Sequence, residues 1–186
     1  TSGPRMAVRL FAGPDLPDDL CAGGDFVARG DASGVSMGAE IAATPGAAMK
    51  VAVLAERDVG TESWPGRGLE RVQIVKGWLD EEGEPHVEVV DTAVTDAPGS
   101  VDELTCEVAG QGSDALCSVW TDEAYDPTRP AWYYARVLEL PVCRWSWRDC
   151  LTLPESERPD VCDDPETQRT IRERAWTSPV WSVPSP

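Results

Sequence analysis

The stretch Glu70-Arg-Val-Gln-Ile-Val-Lys-Gly-Trp-Leu79 decides the fold class. Its apolar side chains fall on both sides of an extended chain, with Val72, Ile74 and Trp78 on one side and Val75 and Leu79 on the other. Crowded β-branched residues fit a pleated strand, and apolar groups on both faces mark a central strand of a covered sheet. The turn-rich Asp80-Glu-Glu-Gly-Glu-Pro85 comes next, then a second strand-like run from His86 to Val94, so the pair reads as a hairpin with a longer acidic loop. Further out, Met6, Val8 and Leu10 alternate with Arg5, Ala7 and Arg9, and the same period of two recurs at Met49, Val51, Val53 and Ala55. Runs at 104–108, 115–121 and 131–140 (AWYYARVLEL) follow, separated by turn signals such as Asp96-Ala-Pro-Gly99 and Asp126-Pro-Thr-Arg-Pro130. Short strands without helices between them argue for a β-sandwich or barrel. The expectation is a mostly β, antiparallel β-sandwich of about seven or eight strands with long loops. Residues 12–24 and 30–48, dense in Gly, Ala, Pro and Asp, are the expected loops. Asp164-Pro-Glu166 resembles a helix start, predicting one short helix near the C-terminus that runs to about Arg174.

The 186 residues suit one domain, or one domain with an appendage. Composition shifts at Pro141 towards Arg, Trp and Cys, which divides a 1–140 β-sandwich domain from a 141–186 extension packing on it, with Pro179–Pro186 extended. No apolar run approaches the roughly 18 residues of a membrane span. A net charge of −17 excludes the basic footprint of a nucleic-acid binder. That charge is local: between Asp80 and Thr128 there are 14 Asp and Glu and no Lys or Arg, whereas eight Arg lie between Arg129 and Arg174. Arginine holds carboxylates bidentately, so an acidic half facing an arginine-bearing half is the plain reading. A calcium site on Asp122, Glu123 and Asp126 is the functional one, and it lacks the loop pattern that supplies enough oxygens.

Six cysteines, Cys21, Cys106, Cys117, Cys143, Cys150 and Cys162, form no C-x-x-C pair, and the chain has one histidine. A disulfide framework therefore fits better than a zinc site, and it implies an oxidising location: secreted, periplasmic or cell surface. Locality favours Cys106–Cys117 and Cys143–Cys150, which leaves Cys21–Cys162 to join over a long range.

Few side chains suit catalysis. Gly34-Val-Ser-Met-Gly38 matches the G-x-S-x-G nucleophile elbow, but Ser36 has neither the strand-to-helix context nor a histidine close by in sequence. His86 stands between Glu84 and Glu88, which share its face on a strand and would favour a protonated ring; an exposed surface histidine is the plainer reading. Trp145 and Trp147, two apart, would point the same way on a strand and offer a sugar-binding platform, unless they fill the core beside Arg144 and Arg148.

Four segments stand in order: Arg71-Val-Gln-Ile-Val-Lys-Gly-Trp-Leu-Asp80, Asp122-Glu-Ala-Tyr-Asp-Pro127, Trp132-Tyr-Tyr-Ala-Arg-Val-Leu-Glu139 and Arg172-Glu-Arg-Ala-Trp-Thr-Ser-Pro-Val-Trp181. With the opening Thr1-Ser-Gly-Pro-Arg5, they resemble the C-terminal portion of a bacterial family filed as domain of unknown function 3604. The resemblance implies a longer exported protein whose N-terminal part carries an H-x-H metal motif, similar to the polymerase-and-histidinol-phosphatase class of metal-dependent phosphoesterases. None of those ligand motifs lies in this chain. The family pattern has proline where Ser36 stands, and the cysteines look like a disulfide-reinforced branch. The expected function is thus a non-catalytic β-rich portion that packs on the N-terminal catalytic portion of the same protein, and the start at Thr1 agrees with a fragment. No cofactor is expected in this chain; a divalent metal belongs to the N-terminal part. Arg136, Arg144 and Arg172 are the candidate anion contacts. A carbohydrate-binding module using Trp145 and Trp147 is the alternative, and a stand-alone hydrolase using Ser36 the least favoured reading.

Overall fold

The computed structural model describes residues 1–184. The chain begins with β1 (Ala7–Gly13), α1 (Phe26–Ser33), β2 (Val35–Ser36), β3 (Glu40–Ala42) and β4 (Met49–Glu56). The long hairpin follows as β5 (Leu69–Leu79) and β6 (Pro85–Val94), then β7 (Ser100–Val101), β8 (Val108–Ala109), β9 (Ala115–Asp122) and β10 (Ala131–Glu139). Then come β11 (Val142–Cys143), α2 (Trp145–Thr152), β12 (Thr170–Ile171), β13 (Arg174–Trp176) and β14 (Val180–Val183). The fold is mostly β and holds more strands than expected, because the presumed loops contain short ones.

The larger strands form a four-stranded sheet, β2-β1-β4-β9, and a six-stranded sheet, β3-β14-β10-β5-β6, with β13 pairing beside β14 on β10. Most pairs are antiparallel; β3 and β14 run parallel. Alternating side chains turn one face of each sheet inward, so Leu10, Val51 and Val53 meet Val72, Ile74, Tyr133, Ala135 and Val137 in the main core. Lys76 and Asp122 are also buried there, 2.6 Å apart. The Tyr133 hydroxyl donates to Asp122 Oδ2 at 2.7 Å, and Lys76 Nζ donates to the Ala124 carbonyl at 3.2 Å. Burial, reinforced by that bond to Asp122, pushes the Tyr133 hydroxyl far above its ordinary range, so it remains a donor.

The β5–β6 hairpin has the expected pairing, from Leu79↔Pro85 to Arg71↔Val94, with a bulge near Val72. Asp80 fixes its acidic turn by accepting the backbone N–H groups of Glu82 and Glu84 at 3.0 and 2.8 Å. The doubly covered sheet, however, is the other one. Phe11 and Ala52 on the outer side of the four-stranded sheet are buried with Leu16, Leu20 and Phe26, under α1 and the segment before it.

The helix expected at 164–174 is absent. Asp164 instead closes a local turn, accepting the Glu166 N–H at 2.9 Å, and Arg174–Trp176 is recruited to the edge of β10. Among the described residues the α-helices are α1 and α2, and in α2 the buried Trp147 and Cys150 sit three apart on one face. The six-stranded sheet crosses the 140/141 division, since β13 and β14 both pair with β10. Of the expected extended tail, 180–183 is a strand, and residues 185–186 lie outside the described residues.

Neither of the two pairings favoured by locality occurs, nor does the Cys21–Cys162 pairing they left over. The disulfides are Cys21–Cys117, Cys106–Cys143 and Cys150–Cys162, with separations of 96, 37 and 12 residues. Sheet topology overrides proximity in sequence. Cys117 lies on β9 opposite Leu54, against the outer cluster, and therefore meets the covering segment at Cys21. Cys106, Cys143, Cys150 and Cys162 gather around Trp147 as a small separate core.

Candidate functional site

The alternation in β10 is strict. Ala131, Tyr133, Ala135, Val137 and Glu139 are buried, while Trp132, Tyr134, Arg136 and Leu138 are half-buried on the outer face. Register carries this face across the sheet: Gly77, Trp132 and Trp181 stand in one row, Asp91, Gln73, Arg136 and Trp176 in another. A Cβ on Gly77 would lie 2.1 Å from the Trp132 ring, so the indole lies across bare backbone. The Trp132 and Tyr134 rings stack at 5.6 Å with planes 11° apart. Around them Trp176, Trp181, Val87, Val89 and Val183 are exposed, Trp176 and Trp181 by 47% and 46%. Nothing in the described residues covers them as α1 covers the opposite sheet.

At one end of this face the side chains become cationic. Arg71, Gln73, Arg136, Leu138, Arg172 and Arg174 line an open depression of about 380 Å³. Glu70, only 4% exposed, anchors two of the guanidinium groups: it accepts from Arg71 Nη2 at 3.1 Å and from Arg172 Nε. Asp91 accepts from Arg71 Nη1 at 2.8 Å and from Gln73 Nε2 at 2.7 Å. Gln73 Oε1 in turn accepts from Arg136 Nε at 2.7 Å. Arg174 Nε donates to the Arg172 carbonyl at 3.3 Å. Two carboxylates thus face four guanidinium groups.

Of the expected anion contacts, the structure brings Arg136 and Arg172 together; Arg144 is elsewhere, donating to Gln168 Oε1 at 3.0 Å. Arg71 and Arg174 were missed; the period of two in 70–79 set Arg71 on the face that carries Arg136, whereas Arg174, at the end of the expected helix, gave no local signal. The Trp145–Trp147 platform does not form, because both lie on α2, where residues two apart point in different directions. Trp147 is buried and donates to the Glu103 carbonyl at 2.6 Å, while Trp145 is exposed beside Trp64. The aromatic platform is instead on β10 and β14, where alternation in Trp132-Tyr-Tyr134 was the available signal.

The other candidates are engaged locally. His86 pairs with Asp80 at 2.7 Å and stacks on Trp78, and its hydrogen bond is the main cause holding the Asp80 carboxyl below its usual range. Ser36 sits in β2 opposite Phe11, with no elbow helix after it. Asp122 serves Lys76 and Tyr133, and Asp126 binds Thr128 and Arg129, so these carboxylates are occupied by protein donors. The acidic and arginine-bearing halves do meet, in Arg129–Glu81 at 2.7 Å and Arg169–Glu103 at 3.6 Å.

Among the described residues, no group of three or more His, Cys, Asp or Glu side chains is arranged to hold a metal ion. No described helix is long and apolar enough to cross a membrane. The three disulfides fit an oxidising, non-cytoplasmic compartment. Neither the curated proteins nor the solved structures give a match to this chain. The family described as "Protein of unknown function (DUF3604)" does match, over residues 1–184, and the chain belongs to it.

Proposed function

We propose that this chain is a non-catalytic β-sandwich portion of a larger, exported, metal-dependent phosphoesterase-like protein, and that it packs on the catalytic portion through the outer face of its six-stranded sheet. The observation that supports this is the aromatic face itself: Trp176, Trp181, Val87, Val89 and Val183 are exposed together, around Trp132 and Tyr134. Contiguous apolar surface of this kind marks interaction sites, and Trp, Tyr and Arg are enriched where interfaces are most buried. The disulfides are in keeping with export.

Oxidative footprinting of tryptophan side chains tests the reading. Trp176 and Trp181 should be modified at least about fivefold more slowly in the full-length protein than in the isolated chain, as for residues at an interface core. Equal rates, or phosphoester turnover by the isolated chain with zinc or manganese, would reject it. The stacked Trp132 and Tyr134 favour one second reading, a platform for sugar rings, with Gln73 and Asp91 in the row beside it. A saturable shift of tryptophan emission on titrating polysaccharides, lost in Trp181→Ala, would establish that reading instead.

A further inference from the structure

We propose that the depression between Arg71, Gln73, Arg136, Leu138, Arg172 and Arg174 is a binding site for a tetrahedral oxyanion, a phosphate or sulfate group. It shares a sheet face with the docking reading above and does not rest on it.

Charge comes first. Glu70 and Asp91 are the carboxylates bonded to this cluster, and they leave it two positive charges in excess within a strongly acidic chain. Elsewhere Arg29 pairs with Asp19 and Arg57 with Asp114, while Arg9, Arg67, Arg144, Arg148 and Arg158 have no carboxylate partner among the described residues; what sets the depression apart is that four guanidinium groups share it. In the depression, Arg136 and Arg174 have no carboxylate partner among the described residues. Each uses only Nε, on Gln73 and on the Arg172 carbonyl, which leaves both Nη groups of each without a protein acceptor.

Preorganisation comes second. The chain of bonds from Arg71 through Asp91 and Gln73 to Arg136 fixes the orientation of Arg136, and Glu70, nine-tenths buried and more, holds Arg71 and Arg172. Guanidinium groups fixed beforehand lose little freedom on binding.

Geometry selects the ligand. A planar carboxylate is satisfied by one bidentate guanidinium, whereas phosphate and sulfate accept from several directions. Donors reach this depression from β5, β10 and β13 and from Arg172, just before β13.

The experiment uses this chain with inorganic phosphate, sulfate and acetate as probes, at ionic strength held constant with sodium chloride, and follows the arginine Nε–H resonances by NMR. Phosphate and sulfate should shift Arg136 and Arg174 saturably, while acetate should not. Arg136→Gln/Arg174→Gln should weaken the dianions by at least about tenfold, as expected for charge-assisted bonds. Arg9→Gln/Arg148→Gln, with the same change of net charge on the other sheet and on α2, should bind as the parent does. Circular dichroism checks that both variants fold; if Arg136→Gln/Arg174→Gln does not, Arg174→Lys replaces it and should still weaken binding. The proposal fails if no shift saturates, if both double variants lose affinity equally, or if acetate competes as well as phosphate. Because the readout needs only this chain, its failure is separate from a failure of the docking reading, which is measured in the full-length protein.

Discussion

The two sheets of the sandwich share a core and differ on their outer faces. Outside the four-stranded sheet, Phe11 and Ala52 are closed in by Leu16, Leu20 and Phe26, and Cys21–Cys117 fastens that cover to β9. Outside the six-stranded sheet, Trp176 and Trp181 are exposed around the half-buried Trp132 and Tyr134, with an arginine cluster beside them. Both faces carry apolar side chains, and among the described residues only the first is covered. The covered face therefore contributes to stability, while the other remains exposed among the described residues.

Substitutions can break this contrast. The largest effect is expected from Cys21→Ala/Cys117→Ala. It frees a 96-residue closure, worth up to about 5 kcal/mol on the chain-entropy view, and loosens the cover. Urea denaturation under oxidising conditions measures it; a loss below about 1 kcal/mol would mean the cover holds without its staple. Phe11→Ala should cost about 4 kcal/mol, since it leaves a cavity beneath α1.

The third effect concerns the ground beneath the bare face. Glu139 is 2% exposed, Oε1 has no hydrogen-bond partner among the described residues, and burial followed by repulsion from Glu173 pushes its carboxyl up to about 7. The folded state therefore holds this proton more tightly than the unfolded chain, where the carboxyl titrates near 4.5. Its contribution to stability is fullest below pH 4.5 and falls as pH rises to about 7, by roughly 3 kcal/mol in all. Glu139→Gln should flatten that part of the stability–pH curve and be the more stable form at pH 8; parallel curves for the two proteins would refute the assignment.

A matched glycine pair sharpens the comparison. A Cβ on Gly30 would meet Phe11 at 2.3 Å inside the closed cluster, so Gly30→Ala should cost about 2 kcal/mol. A Cβ on Gly77 would meet Trp132 at 2.1 Å, but that indole is only half-buried. Gly77→Ala should cost less than about 1 kcal/mol while changing tryptophan emission, because only the rings must shift. The smallest effect belongs to Trp181→Ala, within about 0.5 kcal/mol on a side chain 46% exposed. Equal losses at Phe11 and Trp181 would erase the distinction between the faces.

Much of the sandwich was legible because alternation is a local property: 70–79, 86–94, 115–121 and 131–140 read correctly as strands. The same alternation held half of the candidate site, since it set Trp132, Tyr134 and Arg136 on one side of β10. What stayed hidden was decided between distant segments. Cys117 meets Cys21 only because β9 borders β4. Arg174 joins Arg136 only because β13 is drawn to an edge of β10 that no nearby residue occupies. Trp145 and Trp147 misled because a spacing of two means one face on a strand and different faces on a helix.

The parallel pairing of β3 with β14 also bears on how the protein is made. Residues 40–42 pair with residues 181–183, made far later along the same chain, so this seam stays open until both segments exist. Such long-range pairing slows maturation. Until β14 is in place, β10 lacks the neighbour that carries Trp181, so the aromatic rows of the larger sheet are completed late.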